Sequence, residues 1–249
     1  MAKDSVWQDP LPQTRLEDDQ VHIWRANLNL PDLEIDRLAT YLSPDEKVRA
    51  SKFRFPQHQT RFTAARGILR QLLGNYLQIN PCEVKFDYSD RGKPQLSNSQ
   101  QDRQLQFNLS HSQDYALYGL TYDDLIGVDV EYIRTMSDTL KIAQRFFSAR
   151  EYELIKNTAV AKQQAVFFTL WTAKEAYLKA VGTGLAGSLD LVEIKLDPTS
   201  LLAIRGSKAA AASWSLYPCD PAANYVGAIA IRVEQAPTEI SLYSWHQAL

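Results

Sequence analysis

The chain has 249 residues, is 45% hydrophobic, and carries 27 Lys and Arg against 29 Asp and Glu. That length suits one large domain or two small ones, and a formal net charge of −2 supplies no global field for nucleic acid or an anionic membrane. The longest apolar stretch, Tyr225 to Val233, is too short to span a bilayer. Cys82 and Cys219 lie far apart with no metal-type spacing, the four histidines form no H-x-x-x-H pattern, and the polar N-terminus lacks a signal peptide's apolar run. A cytoplasmic protein with free thiols is expected.

Residues 1–20 read as a loosely ordered arm. Val21 to Ala26 alternates and predicts the first strand. Pro31-Asp32-Leu33 opens a helix that places Leu33 and Tyr41 on helical spacing and ends near Leu42. Ser43-Pro44-Asp45-Glu46 is a second helix start, with an N-cap serine, a proline at the first helical position and a capping-box glutamate. From Lys47 to Arg70 the basic residues Lys47, Arg49, Lys52, Arg54, Arg61, Arg66 and Arg70 occur with no acid between them. Such a run suits a solvated face or a local anion site, for which phosphate is a better ligand than a nucleic-acid backbone because the patch is local. Pro56 interrupts the run, and a helix from about Thr60 to Leu77 carries Phe62, Leu69, Leu72 and Leu73 inward.

Asp90 to Pro94 is a turn with Gly92 as its permissive residue, and Ser97 to Arg103 is a polar loop. Leu105 to Ser110 predicts a strand that runs out at His111-Ser112. Tyr115 to Thr121 and Ile126 to Glu131 predict two more, so an antiparallel three-strand meander is expected. Thr139 to Phe147, Glu151 to Ile155 and Val166 to Val181 are helical, and Gly182 is placed as a C-cap. Leu189 to Leu196, Ser213 to Tyr217, Tyr225 to Val233 and Ile240 to Ser244 predict a second sheet. The order helix, helix, strands occurs twice. The expectation is an α+β protein of two similar halves, 21–124 and 125–249, divided near Tyr122 to Leu125.

Two stretches carry chemistry. In Gly127-Val128-Asp129-Val130-Glu131, the period of two puts Asp129 and Glu131 on one strand face, roughly 7 Å apart. The pattern fits a strand end with solvated acids. It also fits hard oxygen ligands for Mg²⁺, which takes one or two carboxylates with phosphate oxygens and water. In Trp171-Thr172-Ala173-Lys174-Glu175-Ala176-Tyr177-Leu178-Lys179, Trp171, Lys174, Glu175 and Leu178 follow i, i+3, i+4, i+7. Glu175 and Lys179 are i, i+4 neighbours at the edge of that stripe.

Together these stretches resemble the signature of the 4′-phosphopantetheinyl transferases. Asn108-Leu109-Ser110-His111-Ser112 and Arg91-Gly92-Lys93-Pro94 resemble the preceding motifs of the longer, Sfp-type (surfactin-synthetase-activator) group. The resemblance covers roughly Ser43 to Leu185. It implies a monomeric pseudo-dimer of two α+β halves with small, mostly antiparallel sheets. The active site would lie in the cleft between them. It also implies transfer of the phosphopantetheine arm of coenzyme A to a serine of an apo acyl or peptidyl carrier protein, with release of adenosine 3′,5′-bisphosphate. By that resemblance Asp129, Glu131 and Glu175 hold Mg²⁺ (Mn²⁺ being an alternative), and Lys179 neutralises charge on the pyrophosphate. Glu175 is also a candidate base toward the carrier serine. Ser110 and His111 meet phosphate oxygens, Lys93 lies along the nucleotide, and Arg49 with Lys47 meets the 3′-phosphate. Arg66 is a further candidate phosphate contact, and Lys174 supports the neighbouring acid or the incoming carrier. A Mg²⁺-dependent nuclease or phosphohydrolase is the rival enzyme class, but the lysine that common nuclease patterns put two residues beyond the second acid is here Ile133. A catalytically silent carrier binder is the other rival, and no position of the signature is empty to support it.

Overall fold

The computed structural model describes residues 6–10, 15–97, 104–182, 189–232 and 239–246. Residues 98–103 of the expected polar loop and Val233 at the end of an expected strand lie outside them. In chain order the elements are β1 (Gln20–Asn27), α1 (Asp32–Tyr41), α2 (Pro44–Ser51), α3 (Pro56–Leu77), β2 (Phe86–Tyr88), β3 (Pro94–Leu96), β4 (Leu105–Ser112) and β5 (Tyr115–Tyr122). Then follow β6 (Ile126–Tyr132), α4 (Thr139–Phe146), α5 (Ala149–Asn157), α6 (Val160–Val181), β7 (Val192–Leu196), β8 (Thr199–Ile204), α7 (Lys208–Ala212), β9 (Trp214–Cys219), β10 (Tyr225–Arg232) and β11 (Glu239–Ser244).

The two expected helix starts are built alike. Ser43 and Glu46 form a capping box before α2, and Ser148 and Glu151 form one before α5. Each capping glutamate is buried and holds a cation on the long helix that follows. Glu46 meets Arg70 Nε at 2.6 Å and Arg66 Nε at 3.1 Å, while Glu151 meets Lys174 Nζ at 2.7 Å. The long helices α3 and α6 both have 22 residues and both end on a left-handed residue, Gln78 and Gly182. The duplication hinted at by the sequence is therefore present in the anchoring of each half.

The apolar faces stack in four layers. α3 covers one face of a sheet ordered β11-β1-β5-β4, through Ala64, Ile68 and Leu72 against Trp24, Tyr118 and Leu120. The other face of that sheet, with Ile23 and Leu117, meets Ile126, Val128 and Val130 of β6 in a sheet ordered β6-β10-β9. α6 covers the far side of this second sheet, packing Ala173 and Ala176 among Ala228 and Ala230. Burying a side chain such as Val128, which is fully enclosed, stabilises by about 1.5–3 kcal/mol, so the two-sheet interface holds the halves together.

Several expectations are corrected. β4 and β5 pair antiparallel, but β6 pairs with β10 instead of extending a meander. Its apolar face lies over the first sheet rather than beside it. β11, expected in the second sheet, pairs in parallel with β1, with Ile23 opposite Leu242. It thereby covers an otherwise bare edge of the first sheet, so a division at 124/125 leaves this strand outside its own half. The arm is docked in part: Gln8 N–H donates to Leu242 O at 2.8 Å, and the Trp7 indole donates to Asp220 O at 2.9 Å. On α1 the inward residue is Leu38, and Leu33 is 84% exposed. α3 begins at Pro56, which takes the first helical position rather than interrupting. β8 has no counterpart in the sequence reading.

Candidate active site

The site forms where β6 passes under α6. Gly127, Asp129 and Glu131 share the strand face that looks toward that helix. A Cβ on Gly127 would lie 2.0 Å from Ala176 O and 2.5 Å from Ala180 N, so only glycine permits so close an approach. That approach brings Lys179 Nζ within 2.6 Å of Asp129 Oδ1. Glu175 lies one turn before Lys179 on the same side of α6, and only 6% of it is exposed.

β4 supplies the other wall. Asp129 Oδ1 accepts from Ser110 Oγ at 2.8 Å, and Lys179 Nζ donates to Ser110 Oγ at 2.6 Å. Glu131 Oε2 accepts from Ser112 Oγ at 2.8 Å and faces Arg134 Nη1 at 3.8 Å. The buried Ser110 hydroxyl is thus engaged with protein groups, whereas His111, the next residue along the strand, turns to the exposed side. Of the expected pair of phosphate contacts, Ser110 sits on the face of β4 that meets Asp129, while His111, one residue on, lies on the opposite strand face.

Three acids in one place perturb each other. Burial, then Asp129 and Glu131, push the Glu175 carboxyl up to about 7 against the opposing pull of Lys179. Glu131 is also raised, chiefly by burial, with Ser112 and Arg134 opposing. Asp129 Oδ2 and Glu175 Oε1 are buried without a hydrogen-bond partner, a costly state that a bound cation relieves. As the side chains stand, no group of three His, Cys, Asp or Glu among the described residues is arranged to hold a metal ion. A site using two carboxylates with water and phosphate oxygens remains in keeping with Mg²⁺, and the two orphaned oxygens fit it.

Of the first-half cations expected at the site, Lys93 is placed against α6. Lys93, at the β2–β3 turn, donates from Nζ to Ala180 O at 2.9 Å, satisfying one of the free carbonyls at the end of α6. Burial lowers its pKa. The His111 imidazole is pushed down to about 4 by desolvation, then by the charges of Lys179, Arg61 and His58. Arg61 is held by Asp114 at 2.6 Å. Lys47 and Arg49 are exposed on α2, with Arg49 over the Phe62 ring at 5.5 Å. Arg66 is buried between Glu46 and the Phe86 ring, with Nη1 left unpartnered.

Lys174 is not brought to the cluster. Adjacent helical residues point about 100° apart, and Lys174 turns away from Glu175 into the interior. It is fully buried, where its ammonium meets Glu151 and donates to Leu189 O at 2.7 Å and to Val192 O. It pins α6 to α5 and to the segment that leads into the β7–β8 hairpin. The sequence reading missed Gly127 as the close-approach residue, Ser112 as the partner of Glu131, and Glu151 as the partner of Lys174. The repeated capping serine and glutamate were the signal for the last.

A family model described as the 4′-phosphopantetheinyl transferase superfamily matches residues 125–230. A second, described as 4′-phosphopantetheinyl transferase, N-terminal, matches residues 30–119. The chain belongs to the 4′-phosphopantetheinyl transferase superfamily and is an enzyme of phosphopantetheinyl transfer. It is 46% identical to the 4′-phosphopantetheinyl transferase HetI of Nostoc sp., over 91% of this chain and 93% of that protein. It is 25% identical to the 4′-phosphopantetheinyl transferase Sfp of Bacillus subtilis, over 87% of this chain and 93% of that one. The human L-aminoadipate-semialdehyde dehydrogenase-phosphopantetheinyl transferase is 27% identical over 64% of this chain and 54% of its own length.

Proposed function

We propose that this protein moves the 4′-phosphopantetheine arm of coenzyme A onto a serine of an apo carrier protein at the seam of β4, β6 and α6. The observation that carries the reading is the apposition of Asp129 and Glu131 on β6 with Glu175 and Lys179 on α6 across Gly127. A carrier serine oxygen bonds to the β-phosphorus of coenzyme A as the bond from that phosphorus to the bridging oxygen breaks. The bonding pair leaves on adenosine 3′,5′-bisphosphate. Glu175, whose proton affinity lies near neutrality, takes the serine proton directly or through one water.

Asp129 and Glu131 are the side chains that would hold Mg²⁺, with Glu175 joining them where it is not the base, and the ion when bound would supply Lewis-acid polarisation of the pyrophosphate. Lys179 neutralises charge that grows on the departing group, the dominant contribution in phosphoryl transfer. Lys93 and His111 line the pyrophosphate and nucleotide, while Arg49 and Lys47 meet the 3′-phosphate. Arg66, buried and salt-bridged to Glu46 through Nε, offers its unpartnered Nη1 as a further phosphate contact. Ser110 orients Asp129 and Lys179. The internal pairing of two halves supports a monomer. No helix among the described residues is long and apolar enough to cross a membrane, and two free thiols support a cytoplasmic location.

The test is the intact mass of a purified apo acyl carrier protein after incubation with this enzyme, coenzyme A and Mg²⁺. A gain of about 340 Da, abolished by chelation, is expected if a metal-assisted transfer takes place. No gain on carriers from fatty acid, polyketide and peptide pathways alike, with coenzyme A still bound, would overturn the reading.

A further inference from the structure

β4 and β6 are edge strands of different sheets, and no backbone ladder joins them. Side chains of β4 fill the gap in a regular way. Asn108 Oδ1 accepts from Val128 N–H at 2.9 Å, Ser110 Oγ from Val130 N–H at 3.4 Å, and Ser112 Oγ from Tyr132 N–H at 3.2 Å. Alternate residues on one strand thus serve alternate amides on the other, at a constant offset of 20 in sequence.

The two serines do a second thing. An amide can only donate and an ionised carboxylate can only accept. With its oxygen accepting from the amide, each serine proton is directed to a carboxylate: Ser110 to Asp129 at 2.8 Å and Ser112 to Glu131 at 2.8 Å. Each acid is therefore held at two points, by its own carboxylate and by the amide that follows it. At the first rung the corresponding strand residue is Gly127, which has no side chain to steady. There the β4 residue is Asn108, whose carbonyl oxygen serves the amide alone.

We propose that Ser112 is a positioning residue for phosphopantetheinyl transfer, fixing the Glu131 carboxylate in register with Asp129 through this two-point clamp. The inference rests on the reading of the Asp129–Glu131–Glu175 cluster as the site of transfer. Loss of an outer hydrogen bond of this kind typically costs 10- to 100-fold in metal affinity or activity. Ser112→Ala should accordingly lower kcat by about 10-fold or more and raise the Mg²⁺ concentration at half-maximal rate. Ser112→Thr, which keeps the hydroxyl, should restore most of the rate.

The experiment pairs these kinetics with amide hydrogen exchange and a double-mutant cycle. The Tyr132 amide should lose protection in Ser112→Ala and regain it in Ser112→Thr. Ser112→Ala added to Glu131→Gln should cost little beyond Glu131→Gln alone, because Ser112 acts through that carboxylate. Asn108→Ala, which cuts a rung without touching an acid, separates a general weakening of the seam from positioning. Equal kinetic losses in Asn108→Ala and Ser112→Ala would overturn the proposal, as would an additive cycle or a Ser112→Ala enzyme with wild-type kinetics and Mg²⁺ requirement. If Ser112→Ala does not fold, the near-isosteric Ser112→Cys takes its place with the same outcomes. An inactive wild type with normal Tyr132 protection would instead refute the functional reading and leave the clamp standing.

Discussion

Replacing Glu175 with glutamine should stabilise the metal-free protein relative to wild type, and increasingly so as the pH rises. Only 6% of Glu175 is exposed, and burial with Asp129 and Glu131 as neighbours raises its pKa from 4.5 to about 7. The folded state therefore holds this proton more tightly than the unfolded chain does. Below about pH 4.5 both states are protonated and the contribution is fully present. It is lost as the pH climbs, because the unfolded chain ionises freely while the folded site must ionise beside two other acids. An interval from 4.5 to about 7, at about 1.4 kcal/mol per pH unit, amounts to about 3–4 kcal/mol. The neutral amide of the Glu175→Gln variant carries no such penalty. Urea denaturation of both proteins at pH 5, 6, 7 and 8 in the presence of chelator measures the effect. The difference in unfolding free energy should widen by about 2–3 kcal/mol in favour of the variant across that range. Added Mg²⁺ should narrow it by stabilising wild type. Profiles that run parallel would mean that Glu175 ionises as an ordinary glutamate, and the compressed-acid picture of the site would be wrong.

Gly127→Ala should cost about 1–3 kcal/mol in urea denaturation and lose transfer activity, since the new methyl collides with Ala176 O and Ala180 N. A variant with wild-type stability would mean that the strand and helix are not in close contact. Lys174→Met should destabilise by about 3–5 kcal/mol because it strands buried Glu151. Adding Glu151→Gln should recover part of this, and coenzyme A affinity per folded molecule should not change; a selective loss of affinity would return Lys174 to the cofactor site. Arg49→Ala should weaken coenzyme A more than dephospho-coenzyme A in calorimetry, and equal losses would remove Arg49 from the 3′-phosphate. His111 should titrate near 4 by NMR in the free enzyme and take up a proton more readily once an anionic ligand offsets Lys179 and Arg61. A free value near 6.5 would mean that His111 is neither desolvated nor crowded by those cations.

The strand and helix that carry the site were legible because their periodicities are strong and their polar residues fall on one face. Asp129 and Glu131 two apart on a strand, and Glu175 and Lys179 four apart on a helix, define their own geometry. Which strand neighbours which was not legible. The face of β6 with Ile126, Val128 and Val130 is equally satisfied by lying beside a sheet or over it, and only the three-dimensional packing decides. The helix stripe was misleading for a related reason. α6 is enclosed on both sides, so Lys174 and Glu175 are both buried while serving different neighbours. Hydrophobic spacing cannot separate two polar residues when each side of the helix is covered. The basic run was ambiguous because Arg66 and Arg70 serve buried Glu46 while Lys47 and Arg49 face solvent. Charge alone does not report which way a side chain turns.

The parallel pairing of β11 with β1 has a consequence for biosynthesis. A ribosome releases the first strand more than two hundred residues before the one that flanks it. Until Glu239–Ser244 has emerged, the first sheet presents an open edge at Gln20–Asn27, where another chain could add a strand. Completion of that sheet thus waits for β11, and a chain truncated ahead of Glu239 would keep the Asp129, Glu131 and Glu175 cluster while exposing a sticky margin. Such truncations should reveal themselves as aggregates before they reveal themselves as inactive enzymes.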